Sequence, residues 1–311
     1  MFKKLLMAGM IAAMISAPGI VFAQAAPAAA KPAEPKPPYT LTGNFGFFSQ
    51  YIFRGLSQTG HKPAVQGGFD WAHESGFYLG TWASNISWLK ENFSAPAAVA
   101  GTYGEGGSLE WDFYGGYKWS LPKDVTIDLG TLYYWYPGTI NPAAQVFAQG
   151  FRSSAPQGDT WEVYVAPSWK WLSAKFSYSV LDHVFANNDA RGTWYLDLSA
   201  NPPLGDSGFT LIAHWGYQKY RGTDPRNAVF APIFRGFTPN NDTLFTYKDV
   251  KLGLSYALPK DFTIGAYYTK AYNDNKLGYG GVFDVVSPGF FGPYPNDIAK
   301  GTGTVFIQKT F

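Results

Sequence analysis

Leu109-Glu110-Trp111-Asp112-Phe113-Tyr114-Gly115-Gly116-Tyr117-Lys118-Trp119 alternates between two kinds of side chain. Leu109, Trp111, Phe113, Tyr117 and Trp119 share one parity. Glu110, Asp112, Tyr114, Gly116 and Lys118 share the other. A period of two is that of a β-strand, whose successive side chains point to opposite faces. Neighbouring stretches repeat the pattern. Val125, Ile127, Leu129, Tyr133 and Trp135 oppose Thr126, Asp128, Gly130 and Tyr134. Trp161, Val163 and Val165 alternate with Glu162, Tyr164 and Ala166, and Phe176, Tyr178 and Val180 with Lys175, Ser177 and Ser179. Further on, Asp197 lies between Leu196 and Leu198, His214 between Ala213 and Trp215, and Lys251 between Val250 and Leu252. Soluble sandwiches alternate as well, so the period identifies strands without identifying their solvent.

The connectors point to that solvent. Twelve strands are predicted, near 41–53, 64–72, 77–85, 108–119, 125–136, 160–169, 174–181, 192–200, 209–219, 247–257, 262–271 and 301–311. The links between them alternate in length. Short turns fall at 73–76, 120–124, 170–173, 201–208 and 258–261, and long loops at 54–63, 86–107, 137–159, 182–191, 220–246 and 272–300. This segregation is expected of an all-β transmembrane antiparallel barrel with short periplasmic turns and long extracellular loops. Leu121-Pro122-Lys123-Asp124-Val125-Thr126-Ile127 is echoed by Leu258-Pro259-Lys260-Asp261-Phe262-Thr263-Ile264, and both copies sit at predicted turns. Pro followed by a short polar residue is ordinary turn chemistry, so the repeat reads as duplicated hairpin architecture.

The start of the chain reads as an export signal. Met1-Phe2-Lys3-Lys4 precedes an apolar run from Leu5 to Phe22 and small residues around Ala23-Gln24-Ala25. The pattern predicts a signal peptide over 1–25, a disordered Pro/Ala-rich linker over 26–39 and an outer-membrane barrel over 40–311. The chain closes on Val305-Phe306-Ile307-Gln308-Lys309-Thr310-Phe311, which resembles the last strand of bacterial outer-membrane barrels. Phe311 is therefore expected to be read by the barrel-insertion machinery, and outer-membrane lipid and lipopolysaccharide are the expected surroundings.

Composition agrees with this reading. Mean hydropathy is -0.14, too polar for a helical membrane protein. Without Lys3 and Lys4, 22 basic residues stand against 22 acidic ones, which argues against a nucleic-acid partner. Aromatics make up 18% of the chain, and Tyr and Trp in such numbers suit a water–lipid interface. With no Cys, the exported chain has no disulfide staples, a lack that a closed barrel can meet with inter-strand hydrogen bonds.

The densest run of unusual residues spans the first three predicted strands. It reads Ser49-Gln50-Tyr51-Ile52-Phe53-Arg54-Gly55-Leu56-Ser57-Gln58, then Pro63-Ala64-Val65-Gln66-Gly67-Gly68-Phe69-Asp70, then Ser75-Gly76-Phe77-Tyr78-Leu79-Gly80-Thr81-Trp82-Ala83-Ser84-Asn85. These motifs resemble the N-terminal signature of the TorF family of porins, a proteobacterial outer-membrane group. The resemblance is tight over 43–85 and extends loosely to Phe311. Lys309 departs from it, standing where an apolar outward residue is usual. The resemblance implies a Gram-negative outer-membrane channel and supplies neither a substrate nor a catalytic set.

From the parity of the strands, Arg54, Gln66, Asp70, Glu110, Asp112, Asp128, Glu162, Lys175, Asp197, His214 and Lys251 are candidate pore-lining or constriction residues. Lys118 and Lys270 join them as further lumenal cations. Arg54 is expected to pair with Asp70 or another acid inside the barrel. The bland alternative is a buried polar network that satisfies its own groups and fixes register. The mixed charges carry a modest acidic excess, which predicts weak cation preference.

Enzymatic readings are poorly supported. His61 lies in the first loop, His73 in a turn and His183 at the start of a long loop. His214 faces the lumen near Asp197, but no G-x-S-x-G elbow accompanies the pair. Asn187-Asn188-Asp189 and Asn273-Asp274-Asn275 lack the spacing and closing Glu of a calcium loop. No cofactor is expected. The sequence thus favours a twelve-strand channel for passive or weakly selective diffusion of small polar solutes or ions, blocked where it is blocked by side chains and the loop 272–300. Its rivals are a closed structural or ligand-binding barrel acting through its extracellular loops, a barrel enzyme, and a soluble sandwich.

Overall fold

The computed structural model describes residues 37–272 and 298–311, apart from 92–93, 96–98, 101–102, 141, 143–148, 151, 153–156 and 232–234. The expected signal peptide, most of the Pro/Ala linker and nearly all of the loop 272–300 lie outside the described residues.

Twelve strands form one closed antiparallel barrel. They are β1 (Tyr39–Phe48), β2 (Ala64–His73), β3 (Phe77–Asn85), β4 (Leu109–Leu121), β5 (Val125–Trp135) and β6 (Thr160–Trp169). The second half comprises β7 (Leu172–Ser179), β8 (Trp194–Ala200), β9 (Phe209–Lys219), β10 (Tyr247–Leu258), β11 (Phe262–Tyr272) and β12 (Thr302–Thr310). Each strand pairs with the next in sequence. β12 closes the wall on β1 with Asn44 opposite Thr310 and Phe48 opposite Phe306. Closure leaves no unpaired edge.

The short connections form one end of the barrel and the long ones the other. The two Leu-Pro-Lys-Asp repeats adopt the same turn. Leu121 pairs with Val125 and Leu258 with Phe262, while Lys123, Asp124, Lys260 and Asp261 all have φ between 59° and 64°. Lys309 points outward, donates to the carbonyl of Lys260 and lies 4.9 Å from the centre of the Phe262 ring. Its ammonium thus reaches the polar turn while its stem covers apolar wall. Gly43 and Phe311 exchange backbone hydrogen bonds of 2.7 and 2.9 Å, and the Phe311 ring lies over Gly43, where a side chain would collide.

The wall is apolar outside and polar inside. Leu41, Leu79, Leu252 and Val305 are outward-facing aliphatics, each at least 60% exposed. Glu110, Asp112, Glu162 and Asp249 point inward and are at most 1% exposed. Outward aromatics gather at both rims. Trp111, Trp135, Trp161 and Trp194 lie near the loop end, and Trp71, Phe77, Trp119 and Trp169 near the turn end. A soluble sandwich would invert this, burying its apolar face and wetting the polar one.

Candidate functional site

The first strand is shorter than its alternation predicts. β1 ends at Phe48 rather than residue 53, and residues 54–60 of the expected outer loop 54–63 are not on the outside. The chain turns into the bore instead. Ser49 closes onto Val305 with backbone and side-chain hydrogen bonds of 2.9 and 3.0 Å. The Gln50 amide donates to Thr302 Oγ1 (2.8 Å) and to the carbonyl of Gly303 (2.9 Å). Residues 52–57 then form a small hairpin, with Ile52 opposite Ser57 and Phe53 opposite Leu56. Its two-residue turn is Arg54-Gly55, with φ of 45° and 79°. Positive φ at both positions is what a type I′ turn requires. Gly55 is needed twice over, because an added Cβ would also strike the Cβ of Asp249. Arg54 adopts a conformation uncommon outside glycine, asparagine and aspartate. Every residue from 51 to 60 is buried. Ile52 and Phe53 are therefore extended, as the predicted strand 41–53 requires, but they lie inside the barrel and both are buried.

Arg54 crosses to the far wall. Its Nη1 donates to Gln218 Oε1 on β9 (2.7 Å), and its Nη2 donates to Glu162 Oε2 on β6 (2.7 Å) and contacts the Tyr134 hydroxyl on β5 (3.5 Å). The guanidinium carbon lies 4.2 Å from the Tyr195 ring centre on β8, 4.8 Å from Phe53 and 5.6 Å from Phe185. A buried cation needs this density of partners, since stripping its water is costly. Beside it, Glu110 accepts hydrogen bonds from the hydroxyls of Tyr51, in the inserted segment, and Tyr136 (2.7 Å for the latter). Loop residues pack over the hairpin. Phe185 stacks edge-on against Phe53 and Tyr134, and Arg226 is paired with Asp224 and donates to the carbonyl of Ala186 (2.9 Å).

The turn-side half of the bore is built differently. Lys118 lies over Tyr78 (4.5 Å), Lys175 over Tyr164 (3.8 Å) and Lys251 over Tyr267 (4.9 Å). In register, Lys118 faces Asp128 and Lys175 faces Asp197. The Tyr78 hydroxyl donates to Asp128 Oδ1 (2.7 Å) and bonds the hydroxyl of Tyr164. These lysines and Asp197 remain partly exposed. Opposite charges across neighbouring strands and cation–ring contacts each contribute modestly to such a wall.

His214 lies among Asp197, Asp249, Ser199 and Tyr195. Its Nδ1 is 3.2 Å from Asp197 Oδ2, and its Nε2 is 2.8 Å from Asp249 Oδ1 and 3.0 Å from the Tyr195 hydroxyl. The Ser199 hydroxyl donates to Asp197 (2.6 Å) and stands farther, at 3.3 Å, from His214. Both ring nitrogens are engaged by carboxylates, so neither is free to take a proton from Ser199. The arrangement suits a structural ion cluster better than a nucleophile–base pair. Among the described residues no group of three His, Asp or Glu side chains is arranged to hold a metal ion.

Gln66, Asp70, Glu110, Asp112, Asp128, Glu162, Lys175, Asp197, His214 and Lys251 all lie on the inward parity, and Arg54 enters from the hairpin. Arg54 meets another acid, Glu162, rather than Asp70. Asp70 lies toward the turn end of β2 and accepts from the Tyr114 hydroxyl (2.6 Å). Lys270 is on the outward, exposed parity of β11 and leaves the lumenal set. Sequence reasoning missed Tyr51, Tyr134, Tyr195 and Gln218 as partners of the charges. The signal was available: inward tyrosines fill the space over inward glycines, as Tyr114 does over Gly80 and Tyr164 over Gly130. Asp112 carries the strongest unmet demand. It is fully buried, and neither of its carboxylate oxygens has a hydrogen-bond partner. Glu162 Oε1 and the hydroxyls of Ser177 and Ser179 are likewise unpartnered.

These features define a closed up-and-down barrel with an apolar exterior and a charged bore crossed by its own hairpin. The chain belongs to the Gcw_chp family, described as a bacterial protein of unknown function, whose profile matches residues 32–311. No curated protein sequence matches it. Among solved structures it is similar to a KdgM porin, with a TM-score of 0.45 and 9% identity over 87% of this chain and 99% of that one. It is also similar to a NanC porin, with a TM-score of 0.44 and 13% identity over 88% and 99% of the two chains. A third is the outer membrane protein Omp33 of Acinetobacter baumannii, with a TM-score of 0.39 and 7% identity over 88% and 97%.

Proposed function

We propose that this chain is a channel of the bacterial outer membrane, passing small polar solutes or ions through a bore that its Arg54 hairpin narrows. One observation carries the reading: across twelve strands the outward parity is apolar and the inward parity polar, which is the design of a wall between lipid and water. The aromatic rims fit the two interfaces of a bilayer. The lumenal side chains favour cations, with Asp70, Glu110, Asp112, Asp128, Glu162, Asp197 and Asp249 against Arg54, Lys118, Lys175 and Lys251, and His214 held between carboxylates. Selectivity then comes from bore charge and hairpin, and no cofactor or catalytic step is involved. The finer parts of the proposal are export by the signal peptide 1–25, recognition of Phe311 by the insertion machinery, contact with lipopolysaccharide, and a place in the TorF family.

The test is conductance of the purified, detergent-folded barrel in a planar bilayer under a salt gradient. We expect small, stable steps with a reversal potential on the cation side. Silence from a verified folded barrel, persisting when residues 52–57 are replaced by a short flexible link, overturns the channel. A specific observation favours the second reading in that event. The hairpin packs against Phe185, and Arg226 ties down the neighbouring Ala186, so inserted chain already fills part of the bore near the loop end, as a barrel acting through an external surface would need.

A further inference from the structure

The seat of Arg54 is unlike an ordinary ion pair. Two different terminal nitrogens of its planar fork meet two separate acceptors, Glu162 Oε2 and Gln218 Oε1, both at 2.7 Å, while the guanidinium carbon lies over the Tyr195 ring, 4.2 Å from its centre. A fork matched to two acceptors, with an aromatic face below, selects guanidinium over a compact ammonium. Glu162, Gln218, Tyr134 and Tyr195 come from four wall strands, β6, β9, β5 and β8, so the seat belongs to the barrel. Only the occupant belongs to the hairpin. That hairpin is joined to itself by two residue pairs, and it holds Arg54 at a φ of 45°, where a residue with a side chain rests at a cost. Its withdrawal would release Tyr51 from Glu110 and Ser57 from the carbonyl of Ile298, but it would break none of the strand pairings that make the wall.

The charge around the seat exceeds what Arg54 supplies. Glu110, Asp112 and Glu162 are all at most 1% exposed in this half of the bore, and Arg54 pairs with one of them. Glu110 is satisfied by tyrosine hydroxyls, whereas Asp112 has two orphan oxygens and Glu162 has one. Buried acceptors left unmade are expensive, and carboxylates more so. Such orphans are expected of a site whose full complement is a ligand with more donors than one arginine side chain offers.

We propose that the Arg54 seat is a binding site for a guanidinium-bearing solute, that Arg54 is its tethered occupant, and that the solute enters by displacing it. This deepens the channel reading, on which its physiological sense rests: the bore favours cations because it recognises one cationic group by shape. Asp112 is the counter-charge for a second donor of the solute.

The test uses the full barrel folded in detergent, the variant Arg54→Ala and methylguanidinium as probe. In Arg54→Ala, millimolar methylguanidinium should raise the heat-unfolding midpoint saturably, whereas urea of the same shape and sodium at the same ionic strength should not. The unaltered barrel, where the probe must first displace Arg54, should show the same saturable rise only at higher probe concentration, and Arg54→Ala with Glu162→Gln should lose the effect. Equal shifts with urea, or equal shifts with and without Arg54, overturn the site. If Arg54→Ala does not fold alone, its refolding yield is compared in methylguanidinium and in urea. Selective recovery supports the site, and no selective recovery overturns it. Neither readout uses conductance. A barrel that binds methylguanidinium yet stays silent in the bilayer would remove the channel and leave the site, while a conducting Arg54→Ala barrel blind to methylguanidinium would do the reverse.

Discussion

The two halves of the bore are lined by the same strands at the same parity, yet they handle charge in opposite ways. Toward the loops, Glu110, Asp112 and Glu162 are dry, and their cation arrives from outside the wall on a hairpin. Toward the turns, Lys118, Lys175 and Lys251 come from the wall itself, rest on tyrosine rings and stay within reach of water. The barrel ladder supports both halves equally, so stability of the wall and closure of the bore are separate properties. Mutations in the loop-side half should act on closure and cost much. Those in the turn-side half should act on selectivity and cost little.

The largest effect should follow from Gly55→Val. A β-branched residue at a φ of 79° is strained, and its side chain would meet Asp249. The hairpin cannot keep its turn, so the bore should open while the barrel still runs as a heat-modifiable band. Single-channel conductance should rise several-fold. An unchanged step size in a folded Gly55→Val barrel would show that the hairpin does not set the constriction.

Next in size is Glu162→Gln, which leaves the Arg54 guanidinium buried without its carboxylate. Breaking one side of a buried pair costs about 3–5 kcal/mol, and the double variant with Arg54→Met should recover much of that. Urea unfolding of the four species in detergent gives the coupling directly. Additive losses would mean that Arg54 and Glu162 do not depend on each other.

The contrast between halves also marks how far sequence reasoning reached. Strand parity placed Asp128, Lys175, Asp197, His214 and Lys251 on the inner face, because alternation is imposed by the pleat and survives any tertiary setting. The Asp197–His214 neighbourhood was legible for the same reason. The loop-side site was only half legible. The sequence places residues 49–53 at the end of the first strand and 54–58 in a loop, and no local pattern says whether an extended segment lies in the wall or crosses the bore. The clue was Arg54-Gly55, a two-residue turn between Ile52-Phe53 and Leu56-Ser57, written without the usual Asn at its first position. Arg54 was paired with an acid on sequence grounds. The choice of Glu162 over Asp70 depended on how far into the bore the hairpin reaches, which no local pattern encodes.

In the turn-side half, Lys118→Gln should change little but selectivity. It removes a cation facing Asp128 and lying over Tyr78, a contact worth about 0.5–1 kcal/mol at an accessible site. The reversal potential should move further toward cations, with the unfolding midpoint nearly unchanged. An unchanged reversal potential would place Lys118 off the conducting path.

The smallest effect lies outside the wall, where Asp242, on the loop between β9 and β10, meets Lys219 at 2.7 Å. Burial alone would raise its carboxyl, but hydrogen bonds from Lys219 and Thr246 and the charges of Lys219 and Arg221 outweigh burial and hold it below the ordinary 3.8. A carboxyl depressed in the folded state binds its proton more readily when the loop opens. Its contribution is therefore complete above the unfolded value and is lost as pH falls through the lower, folded one. With 38% of the Asp242 side chain exposed, the contribution should stay below about 1 kcal/mol. Relative to the intrinsic rate at each pH, hydrogen exchange of the amides of 241–246 should accelerate as pH falls from 6 to 3, by about the few-fold factor that energy allows. Asp242→Asn should abolish that dependence while leaving the bore unaffected. If the acceleration persists in Asp242→Asn, the loop end is opened by acid elsewhere, and the carboxylates beneath the hairpin become the place to look.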